Sequence, residues 1–189
     1  MSKKEPCFYF FSYGSNLLLE RIKARTPSVD IIQPYKLTGY GIIFNKISDD
    51  GSTKTNIENN GNLENYVLGI VHRIDIKEKS ILDRDEAGYH LESKIISLED
   101  NHQIMLNFYV ANSERIQLGK PYSWYLNYVI MGAMENKLPR DYIDQLLSVE
   151  DVEDEKKEMR SGYNKELTEK IDAHKKRNPE VWRTRDNRE

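Results

Sequence analysis

The chain has little of what usually announces a function. Its 189 residues include a single cysteine, Cys7, which excludes an internal disulfide and any cysteine-rich zinc site. Four histidines are present, and neither His72 nor His90 stands at the spacing of a metal motif. His72 reads as a strand residue and His90 as a loop residue, and no metal is expected. No apolar run is long enough to span a bilayer. The opening Met-Ser-Lys-Lys-Glu-Pro lacks the apolar core of a signal peptide. Charge of one sign is not in excess: 28 Lys and Arg stand against 31 Asp and Glu, a formal net charge of -3. Neither nucleic acid nor a membrane is therefore expected as a partner. There is no internal repeat, and no low-complexity linker before residue 150. Hydrophobic content of 38% and charged content of 31% fit a soluble chain in a reducing, cytoplasmic setting, long enough for one domain with a good core.

What is present starts with an aromatic run, Phe8 to Phe11, that stops at Tyr13-Gly14-Ser15-Asn16. The run has the β-favouring content of a buried strand. Leu18 and Ile22 then fall four apart, on one face of a helix that Thr26-Pro27 ends. The spacing predicts strand, tight turn, helix, with Ser15 or Asn16 as cap. Gly14 lets a ligand approach the backbone closely. Such a turn leaves N–H groups pointing outward at the positive end of a helix, a site for a carboxylate or a developing oxyanion. A plain capped turn explains the same residues without any ligand.

Further along, Leu37 to Ile47 reads as one long strand, with Gly39 and Gly41 marking a bulge or close approach. Ser48 to Asn62 reads mostly as loop, with a brief strand at 55–57. Tyr66 to Ile74 is the clearest buried strand. Asp75 with Glu78 makes a capping-box pattern for a short helix through Asp83. Strands follow at 92–98 and 103–110, around a turn at Glu99-Asp100-Asn101. Ser123 is an apt N-cap for a helix through Met134 that puts Tyr125, Tyr128, Val129 and Gly132 on one face. Pro139 suits the first turn of another helix, with Tyr142, Ile143, Leu146 and Leu147 as its buried stripe.

Between the short helix and the next strand lies Leu82-Asp-Arg-Asp-Glu-Ala-Gly-Tyr-His. A carboxylate here can face a cleft formed with the first turn, although charge runs are usually solvated. Tyr125, taken alone, reads as a core aromatic.

Three stretches together resemble the γ-glutamylcyclotransferases: Phe10 to Ile22 with its Tyr-Gly-Ser-Asn-Leu, Leu82-Asp-Arg-Asp-Glu, and Tyr125 through Met131-Gly-Ala-Met-Glu-Asn-Lys-Leu-Pro. The resemblance covers residues 8–148 and points to the glutathione-cycle type of enzyme. It implies an α+β fold, a small mixed β-barrel flanked by helices, and no cofactor. The implied activity is cyclisation of a small-molecule γ-glutamyl substrate to 5-oxoproline with release of an amine or amino acid. Carried over by motif, Glu86 matches the catalytic glutamate. Tyr13, Gly14, Ser15, Asn16 and Leu17 match the substrate-holding loop, and Tyr125 matches a tyrosine near the pocket. Two departures stand out: Ala87 precedes Gly88 where the family has glycine directly after the glutamate, and Tyr89 stands in for a further tyrosine. The stretch 49–62 also departs from the family pattern. The alternative is a non-catalytic module that keeps the pocket to bind a small molecule or peptide.

The organisation expected is a domain over 1–149 and a charged, mainly helical extension over 150–189. Lys165 to Arg177 places Leu167, Ile171 and His174 on one face, with Glu166/Lys170 and Asp172/Lys176 pairs, and Asn178-Pro179 should stop it. It reads as a solvated helix packed by one edge, or as a self-association arm that would make a homodimer.

Overall fold

A computed structural model describes residues 6–186. Residues 1–5, which hold most of the stretch read above for a signal peptide, lie outside that range, as do residues 187–189. Five strands make one sheet: β1 (Cys7–Ser12), β2 (Asp30–Thr38), β5 (Tyr66–Asp75), β6 (Tyr89–Ser97) and β7 (Gln103–Ala111). A separate ribbon is formed by β3 (Tyr40–Ile47) and β4 (Thr53–Asn59). The sheet order is β2-β5-β1-β7-β6, antiparallel throughout except for the parallel β1–β7 pair. The aromatic run thus becomes a central strand, and Phe8, Phe10 and Phe11 are buried.

The α+β class is as expected, but the hydrogen-bonded strands do not close into a barrel. The long strand expected over Leu37 to Ile47 is broken at Gly39, whose φ of 86° turns the chain out of the sheet in a conformation that favours glycine. Beyond it β3 pairs with β4, which is longer than the brief strand expected in that polar stretch. Side-chain packing holds the ribbon over the sheet instead. The Tyr40 ring meets Phe108 edge-on at 5.5 Å, and Ile57 is buried with Val67, Val71 and Leu106. His90 lies in β6, opposite Val110, rather than in a loop, because the strand resumes directly after the Gly88 turn.

The helices are α1 (Leu19–Lys23), α2 (Lys79–Asp85), α3 (Ser123–Glu135), α4 (Arg140–Leu147), α5 (Lys165–Arg177) and α6 (Pro179–Asp186). Buried residues run from Trp124 to Ile130 in α3, so this helix is enclosed rather than amphipathic. Its cap position is Tyr122, which makes no side-chain cap bond, and Ser123 is already the first helical residue. In α4 the four residues of the expected stripe are the buried ones, and Pro139 sits at the cap position rather than in the first turn. The α5 helix starts at an Asn164 side chain that accepts the Leu167 N–H. Leu167, Ile171 and the fully buried Trp182 of α6 join the core around α3. Trp182 Nε1 donates to His174 Nδ1 at 3.2 Å.

One contact places the functional region. At Gly132 of α3, a Cβ would stand 2.5 Å from the Leu18 nitrogen and 2.6 Å from the Leu17 carbonyl carbon. The central helix therefore presses directly on the turn that follows β1, and only a residue without a side chain allows it.

Candidate active site

The turn after β1 is a short 3-10 segment, Ser15–Leu17, followed by α1. The expected side-chain cap is not formed: the cap positions are Gly14 and Leu18, and neither makes a side-chain cap bond. The Leu17 N–H is committed to the Gly14 carbonyl at 2.9 Å, and the Leu17 side chain is buried in the core under α3. Among the described residues, the N–H groups of Gly14, Ser15 and Asn16 have no protein acceptor. They are donors that the start of a helix leaves without an intrahelical partner, on residues that are buried or half-buried. Gly14 is required sterically, since a Cβ there would meet Thr55 Oγ1 at 2.2 Å.

Opposite this turn sits Glu86, at the C-terminal cap of α2. The capping box expected upstream is not formed. Asp75 does accept the Lys77 N–H, but Glu78 bonds Ser28 instead. Glu86 as a residue is half-buried, while its carboxyl end is enclosed by protein. Its Oε1 accepts from Asn16 Nδ2 at 2.8 Å. Asn16 Oδ1 accepts from an Arg25 guanidinium nitrogen at 2.9 Å, and Arg25 Nε lies 2.9 Å from Asp85 Oδ2. Burial pushes the Glu86 carboxyl above its ordinary range. Arg25 and Arg21 oppose that rise, Asp85 adds to it, Lys46 opposes it, and the net direction is upward.

Tyrosines complete the wall. The Tyr125 hydroxyl accepts the Thr55 N–H at 3.2 Å and shares a 2.7 Å hydrogen bond with Thr55 Oγ1. Tyr89 donates its hydroxyl to the Thr55 carbonyl at 2.7 Å, and Tyr13 donates to the Tyr109 carbonyl. Burial raises the pKa of Tyr13, Tyr89 and Tyr125, so all three remain neutral hydroxyls at pH 7.

These groups line a small inner cavity of about 50 Å³, room for a few water-sized groups. Next to it lies a cleft of about 640 Å³. Ser15, Glu86, Tyr89 and Tyr125 border both. The cleft wall carries Arg21, Arg25, Lys46 and Lys54. Lys54 pairs with Asp50 at 2.8 Å. Arg21 bonds Ser15 Oγ and the Gly162 carbonyl, and burial first, then Arg25, lowers its pKa to about 10. Lys46 is 8% exposed, and its Nζ lies 5.0 Å from the centre of the Tyr89 ring. Among the described residues no carboxylate forms an ion pair with Arg21 or Lys46.

Of the residues singled out from sequence, Tyr13, Gly14, Ser15, Asn16, Glu86 and Tyr125 meet around the inner cavity, and Leu17 does not border it. Thr55 and Tyr109, which the sequence reading did not single out for the site, do. His72 lies behind the turn, its Nε2 2.8 Å from Ser12 Oγ, and burial lowers it to about 4. Among the described residues no group of three or more His, Cys, Asp and Glu is placed to hold a metal ion, and no helix is long and apolar enough to cross a membrane.

Comparison with known proteins places the chain in a family. Residues 66–146 match the model of the AIG2-like family. The mouse protein named gamma-glutamylcyclotransferase is 32% identical over 154 residues, covering 76% of this chain and 79% of its own length. The cattle protein of the same name is 33% identical over 161 residues, covering 79% of this chain and 82% of its own. Among solved structures, a gamma-glutamyl cyclotransferase superposes with a TM-score of 0.74 at 23% identity, covering 89% of this chain and 99% of that one, which supports the fold. At close to one-third identity over three-quarters of its length, this chain belongs to the γ-glutamylcyclotransferase family of enzymes.

Proposed function

We propose that the protein converts a γ-glutamyl compound to 5-oxoproline and a free amine or amino acid. The observation that carries this reading is one enclosed carboxyl, Glu86, bordering both the inner cavity and the outer cleft, across from main-chain donors without acceptors. The γ-glutamyl head enters the inner cavity. Its α-carboxylate or its γ-carbonyl oxygen is held by the N–H groups of Gly14, Ser15 and Asn16. The leaving amine extends into the larger cleft.

The chemistry needs no enzyme nucleophile, because the substrate's own α-amine attacks its γ-carbonyl and proximity supplies much of the rate. A new bond forms between the α-nitrogen and the γ-carbon, closing a five-membered ring. Glu86 takes the proton that the α-nitrogen must lose. The bond from the γ-carbon to the leaving nitrogen then breaks, and Glu86 returns the proton to that nitrogen, so the step balances with no other reactant. A carboxyl raised by burial is suited to both roles. Tyr125, a neutral hydroxyl held by Thr55, borders the same space and orients the substrate.

A turnover screen with γ-glutamyl-alanine, a γ-glutamylamine and intact glutathione tests the reading. Release of 5-oxoproline from at least one of them is expected. Ligand-induced stabilisation across the panel with no turnover would instead identify a binding module.

A further inference from the structure

Asn16 belongs to the turn assigned to substrate, yet both ends of its side chain are engaged by other protein groups. Four groups run in series from the end of α2, through the segment after α1, and back to Glu86: Asp85 to Arg25 at 2.9 Å, Arg25 to Asn16 at 2.9 Å, and Asn16 to Glu86 at 2.8 Å. Donor and acceptor identities leave one consistent arrangement. A guanidinium only donates, so the Asn16 atom facing Arg25 must be the oxygen. The amide nitrogen then faces Glu86, and because it only donates, Glu86 Oε1 must accept.

We propose that Asp85, Arg25 and Asn16 form a positioning relay that fixes the Glu86 carboxyl and reserves Oε2 as the oxygen that takes and returns the proton. The inference rests on the cyclotransfer reading given above. Within it, the Asn16 main chain serves the substrate while its side chain serves the carboxyl. Both Arg25 and Asp85 also act on the carboxyl through charge, but the contacts that hold it in place reach Arg25 only by way of Asn16, and Asp85 only by way of Arg25. Without the relay, the carboxyl could rotate about its last bond and present either oxygen, losing the alignment that proton transfer needs.

The other groups facing the carboxyl do not supply this restraint. Arg21 and Lys46 act on it through charge without bonding to it. Tyr13, Tyr89, Tyr109 and Tyr125 all feel its charge, and the hydroxyl bonds they make run to Thr55, the Tyr109 carbonyl and Asp83.

A double-mutant cycle on 5-oxoproline release tests the series arrangement. Asn16→Ala should lower kcat by about 30-fold, with KM changed less than about threefold, as loss of an alignment rather than of binding. Arg25→Gln should lower kcat by about 10-fold, Arg25→Lys should recover part of that, and the Asn16→Ala/Arg25→Gln double variant should fall no further than Asn16→Ala alone. Multiplicative losses of about 300-fold, or losses carried by KM, would overturn the relay. If either substitution prevents folding, Asp85→Asn at its exposed position decides: a kcat loss of about threefold or more with KM unchanged supports the relay, and wild-type kcat overturns it. Failure of the cyclotransfer reading shows separately, as a wild-type protein that releases no 5-oxoproline from any γ-glutamyl compound. In that case the carbon-13 titration of the Glu86 carboxyl decides. Its midpoint should rise in Asn16→Ala, where a donor to the charged form is lost, and an unmoved midpoint would overturn the relay.

Discussion

Asn16 and Glu86, 70 positions apart in sequence, are joined by a hydrogen bond of 2.8 Å from Nδ2 to Oε1. That bond brings the turn after β1 and the end of α2 into one wall, and the proton chemistry proposed for Glu86 depends on the desolvation of its carboxyl there.

Burial raises Glu86 despite the two nearby arginines, and this has a kinetic consequence. As general base, Glu86 must be ionised in the free enzyme, so kcat/KM should climb as pH rises through its raised pKa. The acid limb should therefore lie above the usual glutamate value of about 4.3. A pH–rate profile reads it directly, and a limb at or below that value would contradict the assignment.

Among the described residues, no carboxylate pairs with the buried cation Lys46, which lies beside the proposed leaving-group cleft. A leaving amino acid carries a carboxylate that Lys46 can meet, whereas its amide does not. Lys46→Ala should raise KM for γ-glutamyl-alanine by about 10-fold and for γ-glutamyl-alaninamide by less than about twofold, since a charge-assisted hydrogen bond is lost only in the first case. Equal effects on both substrates would remove Lys46 from this role.

Much of this architecture was legible in the sequence, for reasons that differ by element. The aromatic run ending at Gly14 and the stripe of α4 follow from local periodicity, which packing reinforced. The cap expected at Ser15 or Asn16 is absent although local propensity favours it, and no local signal tells that the Asn16 side chain bonds a carboxyl 70 positions away. Thr55 was read only as part of a brief strand because its neighbourhood is polar. Its place in the site comes from β3–β4 pairing and from Gly14 lying against it. The barrel expectation came from resemblance. The turn at Gly39 replaced a continuous ladder with a ribbon held by side chains.

Gly132 allows α3 to lie on the first turn. Gly132→Ala should destabilise the fold by about 1–3 kcal/mol, the usual cost of overpacking against backbone that cannot easily move. Urea unfolding measures this, and a variant as stable as the wild type would show that the contact is looser than described.

His72 is buried and its pKa is lowered from 6.5 to about 4. As pH falls below 6.5 the unfolded chain binds a proton that the folded chain refuses, so stability is lost with acidification. Between pH 7 and pH 5 that loss amounts to about 2 kcal/mol. Unfolding at both pH values should show this part of the loss disappearing in His72→Gln, and an unchanged pH dependence would contradict it.

The most direct test of the whole account is 5-oxoproline release by Glu86→Gln, which keeps the size of the side chain and removes its ability to accept the proton. Loss of about a thousandfold or more in kcat is expected, the order associated with removing a general acid–base, while the thermal unfolding transition remains. A Glu86→Gln protein that turns substrate over at the wild-type rate would contradict it.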